Sequence, residues 1–179
     1  MKATKLTYQD YLKLPEEERY ELIEGELLPM PSPTSRHQRI VLKLSVALYN
    51  HVEGQGLGLV YVAPLDVVFD EETVLQPDIV FLSKENLYKL QEKGIFGAPD
   101  MVIEVVSPST AKRDIEIKRG IYERFGVKEF WLVFPEEKVV EVLVLEGGRY
   151  FLHQAVAQEG KACSKLLEGF CVELKEVLT

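Results

Sequence analysis

One stretch restricts this chain more than any other: GAPDMVIEVVSPSTAKRDIEIKRGIYERFGVKEFWLVF, from Gly97 to Phe134. It reads as strand, tight loop, helix, strand. Met101-Val102-Ile103-Glu104-Val105-Val106 is apolar on both alternating faces, so a strand here is expected to be covered on both sides. Glu104 stands in its middle. A lone charge in such a strand is costly unless it is paired or holds a cation. The helix that follows carries two more charges on its inward face, and that coincidence points to a site rather than a plain core.

A helical projection of Ala111 to Phe125 places Ala111, Ile115, Ile117, Ile121, Tyr122 and Phe125 on one arc. Asp114 and Lys118 fall near the centre of that arc. Four residues apart, they are neighbours on one face. Lys118 either bonds Asp114 and closes a self-satisfied pair, or reaches toward Glu104. Asp78 heads another apolar strand, Leu75 to Leu82, immediately after Pro77. If the two strands are adjacent, Asp78 and Glu104 converge and Lys118 approaches them from the covering helix. Two carboxylates at such a point suit a hard cation such as Mg2+. A cation there polarises a phosphoryl oxygen and activates water, and a lysine beside it neutralises developing charge. The pattern suits metal-dependent phosphodiester hydrolysis.

Before the central stretch, Thr7 is expected to cap a short helix within residues 7–19, limited by Pro15. Tyr20 to Leu28 reads as a hairpin pivoting at Gly25, dense in carboxylates. Pro29 to Thr34 is a stiff extended loop. A helix follows from about Ser35 to Val52, with Ile40, Leu44, Ala47 and Leu48 as its apolar stripe and Val41 and Tyr49 beside it. Arg36, His37, Arg39 and Lys43 crowd its first half against the dipole preference, so a phosphate backbone is one candidate partner. Strands are expected at about 59–63 and 65–69, a short helix or loop at 84–93, and a hairpin across Glu146-Gly147-Gly148. Asp100 reads as a strand-entry residue, Ser109 or Thr110 as a helix cap, and Tyr122, Phe130 and Trp131 as core aromatics.

The 179 residues fit one domain, 1–179, with a sizeable core. A hydrophobic share of 46% and a charged share of 28% are those of a soluble globular protein. No run approaches the ~18 apolar residues of a membrane span, and the opening residues lack the apolar segment of a signal peptide. A cytoplasmic protein is expected, with no membrane partner. Cys163 and Cys171 are expected as two reduced thiols. The net charge of −8 argues against coating nucleic acid through bulk electrostatics. It leaves a nuclease open, because carboxylates awaiting a cation are themselves negative.

Pro77-Asp78 followed by Glu104 within Ile103-Glu104-Val105-Val106 resembles the PD-(D/E)XK nuclease superfamily. Pro77-Asp78-Ile79-Val80, Ala98-Pro99-Asp100, Ile103 to Thr110, Asp114, Lys118, Tyr122, Gly126-Val127 and Glu129-Phe130-Trp131 resemble, more closely, a bacterial Uma-type family of restriction-endonuclease-like proteins. Tyr20-Glu21-Leu22, Gly25-Glu26 and His37-Gln38 resemble its N-terminal part. The resemblance implies an α/β, restriction-endonuclease-like fold with a central mixed β-sheet flanked by helices. It implies divalent-metal cleavage of DNA, with Mg2+ or Mn2+ at Asp78 and Glu104. An N-terminal acid maps to Glu21 as a further ligand, with Glu24 as the alternative. One departure stands out. The superfamily pattern has lysine two residues after the strand carboxylate, and here that residue is Val106. Lys118 on the following helix fits the displaced role, with Asp114 as the residue that positions it.

Two other readings stand beside the nuclease: a binding or scaffold protein that keeps the fold without activity, and a carboxylate-pair hydrolase acting on sugars. Cleavage of both strands of a duplex calls for two sites, which makes a homodimer an expectation.

Overall fold

The computed structural model describes residues 3–179. In chain order the elements are α1 (Tyr8–Tyr11), β1 (Tyr20–Ile23), β2 (Glu26–Pro29), α2 (Ser35–Gly54), β3 (Gly58–Val62), β4 (Asp66–Asp70), β5 (Thr73–Leu75) and β6 (Ile79–Ser83). A 3-10 turn at Lys84–Lys89 leads to β7 (Leu90–Gln91), β8 (Gly94–Phe96) and β9 (Met101–Val105). A π-helical turn at Arg113–Lys118 runs into α3 (Arg119–Phe125). Then come β10 (Glu129–Phe134), β11 (Val139–Glu146), β12 (Arg149–Ala157), β13 (Lys161–Cys163), β14 (Cys171–Glu173) and α4 (Leu174–Val177).

The principal sheet has the order β12-β11-β10-β9-β6-β3. Only β9 and β10 run parallel; the crossover between them contains the π turn and α3. β6 pairs antiparallel with β9, setting Ile79 opposite Ile103. A second sheet has the order β2-β1-β5-β4-β8-β7. The expected continuous burial of β9 holds, since all five of its residues are buried. Met101, Ile103 and Val105 join Ile40, Leu44, Leu48 and Val52 of α2 and the C-terminal segment in one core layer. Val102 joins Tyr122, Phe130 and the second sheet's Val67, Leu75 and Ile95 in another. The alternation of β9 thus decides which layer receives Glu104: the one beneath α3.

Several expectations need correction. α1 spans a single turn, fastened where the Thr7 N–H donates to the Asp10 carboxylate at 3.0 Å. Leu75 to Leu82 is not one strand. Leu75 ends β5 of the second sheet, and Gln76-Pro77-Asp78 carries the chain across to β6, because proline cannot supply a ladder N–H. The helix after β9 is wound wide in its first half. Lys118 takes the inward position, and the adjacent Ile117 is 39% exposed. Gly126 ends α3 at φ 85°, a left-handed geometry open to glycine because it has no Cβ, and its N–H reaches the Tyr122 carbonyl at 3.1 Å. Cys163 and Cys171 are joined as a disulfide, because the β13–β14 register sets them directly opposite with Cα atoms 4.1 Å apart. Among the described residues no helix is long and apolar enough to cross a membrane.

Candidate active site

The β1–β2 hairpin, expected to turn at Gly25, does so, with Glu24 and Gly25 at positive φ. Its first strand buries Glu21 completely. Glu24, the alternative to Glu21, lies at the exposed hairpin tip within 3.6 Å of Arg124, away from the site. Glu104 enters from β9, and Asp78 from the loop that leads into β6. Lys118 comes from the last residue of the π turn. A wide turn of this kind recurs at functional sites, and here it seats Asp114 and Lys118 inward together.

These side chains meet. The Lys118 ammonium is 2.9 Å from Glu21 Oε1, 3.0 Å from Glu104 Oε1 and 3.4 Å from Asp114 Oδ1. Asp114 is therefore the most distant of three carboxylate partners, not the sole residue that positions the lysine. Its other oxygen accepts from the Thr110 hydroxyl at 2.8 Å, so Thr110 braces this side chain. Tyr122, expected as a plain core aromatic, is fully buried yet donates its hydroxyl to Glu104 Oε1 at 2.6 Å. The Gln76 N–H donates to Glu21 Oε1 at 2.9 Å.

Asp78 binds the backbone of the residue that follows Glu104. Its Oδ2 accepts the Val105 N–H at 2.7 Å and lies 3.3 Å from His37 Nε2. That same nitrogen is 2.9 Å from the Val105 carbonyl. His37 thereby ties the start of α2 to the end of β9 beside Asp78. Three of the four cations crowding α2, His37, Arg36 and Lys43, have protein partners, and Arg39 has none among the described residues. Arg36 bonds Glu136 and the Pro135 carbonyl, and Lys43 bonds the Thr179 carbonyl. No phosphate backbone is needed to explain the three partnered cations.

Burial holds the Glu104 carboxyl well above the ordinary carboxylate value, against the pull of Lys118, and the nearby Asp78, Asp114 and Glu21 charges add to the rise. Burial raises Asp114 likewise. For Lys118 burial works against the charge, but Glu104, Glu21, Asp114 and Asp78 outweigh it and hold the ammonium well above its usual 10.5. Burial also opposes a charged His37, and Asp78 with the Val105 carbonyl reverses that, leaving it above 6.5. Lys118 is therefore a fixed cation at neutral pH.

Glu21, Asp78, Glu104, Asp114 and Lys118 line one cavity of about 670 Å³, within the range of ligand sites. Two basic side chains border it: Arg113, 3.6 Å from Glu21 Oε2, and Arg19, which bonds Gln76. The carboxylates are incompletely satisfied. Glu21 Oε2 is buried and accepts no hydrogen bond. Among the described residues, both bonds to the Glu104 side chain land on Oε1 and the bond to Asp78 lands on Oδ2. No three His, Cys, Asp or Glu side chains already stand as a finished metal cage among the described residues. The fit to a hard cation rests instead on donor chemistry, with spare carboxylate oxygens and one orphaned buried oxygen in a single cavity.

A mixed sheet with a charged strand, a covering helix that returns a lysine to it, and acids from a hairpin and from the loop before a neighbouring strand define the restriction-endonuclease-like class. The same architecture occurs in a putative nuclease belonging to DUF820 from Anabaena variabilis, which superimposes with a TM-score of 0.80 at 21% identity over 97% of each chain. The chain belongs to the Uma2 family, described as "Putative restriction endonuclease", whose model matches residues 8–175. It is also 27% identical over 134 residues to the protein sll1609 of Synechocystis sp., covering 73% of this chain and 75% of that one.

Proposed function

We propose that this protein is a divalent-metal-dependent endonuclease that hydrolyses phosphodiester bonds in DNA. The observation that carries the reading is the charge balance of the cavity. Four carboxylates, Glu21, Asp78, Glu104 and Asp114, surround one buried lysine, and Glu21 Oε2 accepts no hydrogen bond, with only the Arg113 guanidinium 3.6 Å away. Such an excess of buried negative charge is costly unless a cation joins it. Asp78 and Glu104, with Oε2 of Glu21, are the oxygens that would hold Mg2+ or Mn2+. When bound, the cation would polarise a phosphoryl oxygen and lower the pKa of a water.

The remaining work falls to this chain's own groups. Lys118, protonated and braced by Glu21, Glu104 and Asp114, presents a fixed positive charge where negative charge develops on phosphorus. Tyr122 fixes the Glu104 carboxylate from behind. His37 and the Val105 N–H hold Asp78 in one rotamer. Arg19 and Arg113 border the cavity as contacts for a phosphate backbone. Membership in a family described as restriction endonucleases supports DNA as the polymer.

The test is nicking of supercoiled plasmid with Mg2+ or Mn2+, comparing the wild type with Asp78→Ala and Lys118→Ala. Cleavage by the wild type, abolished by chelator and by either substitution, is the expected result. Full activity in both variants overturns the assignment. A wild type that neither cleaves nor binds divalent ions would make the fold a binding scaffold.

A further inference from the structure

We infer that the exposed face of α2 is a homodimer seam, built around a two-fold axis at Val46. The buried face of this helix, Ile40, Leu44, Leu48 and Val52, is accounted for by the core. The opposite face is not. Leu42, Val46 and Tyr49 are each about half exposed, at 52%, 50% and 53%. With Arg39 and Glu53 they form a run at steps of three, four, three and four residues, the spacing of a helix–helix seam.

The occupant follows from the charges at the ends of this run. Arg39 lies seven residues before Val46 and Glu53 seven after it, about 10 Å to either side along the axis. Neither takes part in an ion pair among the described residues. When two antiparallel copies of α2 are related by a two-fold through Val46, Arg39 meets the partner's Glu53, and Glu53 meets the partner's Arg39. Val46 then packs on its own symmetry mate, and Leu42 falls next to the partner's Tyr49. Opposite charges at equal distances from an apolar centre are self-complementary, as an isologous interface requires. Nucleic acid would gain nothing from the three apolar side chains and would be repelled at Glu53. Leu42 also lines the cavity of the candidate active site, so the partner helix would run along that cavity's rim.

The inference is independent of the nuclease reading, because its test measures mass and not cleavage. Sedimentation equilibrium at micromolar concentration is expected to give a dimer for the wild type. Arg39→Glu alone and Glu53→Arg alone each set like charges opposite at two symmetry-related places, and each should raise the dissociation constant on the order of tenfold or more. Mixing the two single variants restores both ion pairs, so the mixture should return to a dimer, as should the Arg39→Glu/Glu53→Arg double variant. Unchanged far-ultraviolet circular dichroism would show that the exposed substitutions leave the fold intact. A wild type that remains a monomer overturns the inference, as do single variants that dimerise as well as the wild type. So does a monomer whose affinity for a duplex oligonucleotide falls with Arg39→Glu, which would assign the face to nucleic acid.

Discussion

Two buried glutamates on adjacent strands, Glu104 of β9 and Glu129 of β10, look alike by burial and differ in every other respect. Glu129 is fully buried, and both of its oxygens are satisfied. Oε1 accepts the Lys165 and Leu166 N–H groups, and Oε2 accepts the Trp131 indole N–H and the Ser164 hydroxyl. It anchors the C-terminal loop against the principal sheet. Glu104 instead receives both of its bonds on one oxygen, one from the Tyr122 hydroxyl and one from a lysine that two other acids share, and it borders a cavity. Burial marks neither as catalytic. The sign of a site is a buried carboxylate whose lone pairs are not used up, among more acids than the local cations can balance.

The contrast can be broken at several points. The largest change in stability belongs to Glu129→Ala, which takes the acceptor from four donors, the buried Trp131 indole among them. Hydrogen bonds to charged groups contribute about 1.5–3 kcal/mol each, so a loss of at least ~3 kcal/mol is expected in denaturant unfolding. Lys118→Met should act the other way round, lowering cleavage by roughly 100- to 1000-fold, as expected for a lost charge stabiliser. Its melting temperature should fall less than that of Glu129→Ala, because adding Mg2+ compensates part of the lost positive charge.

Reducing the Cys163–Cys171 bridge should cost about 2 kcal/mol for a short closed loop. This would loosen the segment that feeds Glu129 its donors, so cleavage per folded molecule should stay unchanged. Asp114 gives the smallest effect, and one set by pH. Burial raises its folded carboxyl above the ordinary 3.8, so the fold holds that proton more tightly than the unfolded chain does. The stability it confers is therefore present below 3.8 and lost as pH rises through the folded value. The stability difference between wild type and Asp114→Asn should drift against the wild type across that window. A flat difference would show that Lys118 cancels the burial.

Half of this contrast was legible in the sequence. Glu104 stood out because its neighbours on both sides are apolar, and Lys118 because helical spacing put it on an inward face. The β1–β2 hairpin was readable from Gly25, which placed Glu21 on a strand. The family resemblance, carried by residues spread along the chain, anticipated the restriction-endonuclease-like fold. Glu129 gave no such signal, since its four donors lie two to thirty-seven residues away and only tertiary packing assembles them. The pairing of Cys163 with Cys171 depends on the β13–β14 register, and the break at Pro77 on which sheet captures Leu75. The Tyr122 hydroxyl was hidden because its ring belongs to the core. The π turn was hidden because a regular helical projection assumes constant winding. The partners of His37 come from β9 and the loop before β6, which no local pattern connects to α2.

The most direct measurement is calorimetric titration of Mn2+ into the wild type, Glu104→Gln and Glu129→Gln. Binding heat in the wild type and Glu129→Gln, with none in Glu104→Gln, is the result this account requires. A wild type that takes up no ion, or equal binding by Glu104→Gln, would contradict it.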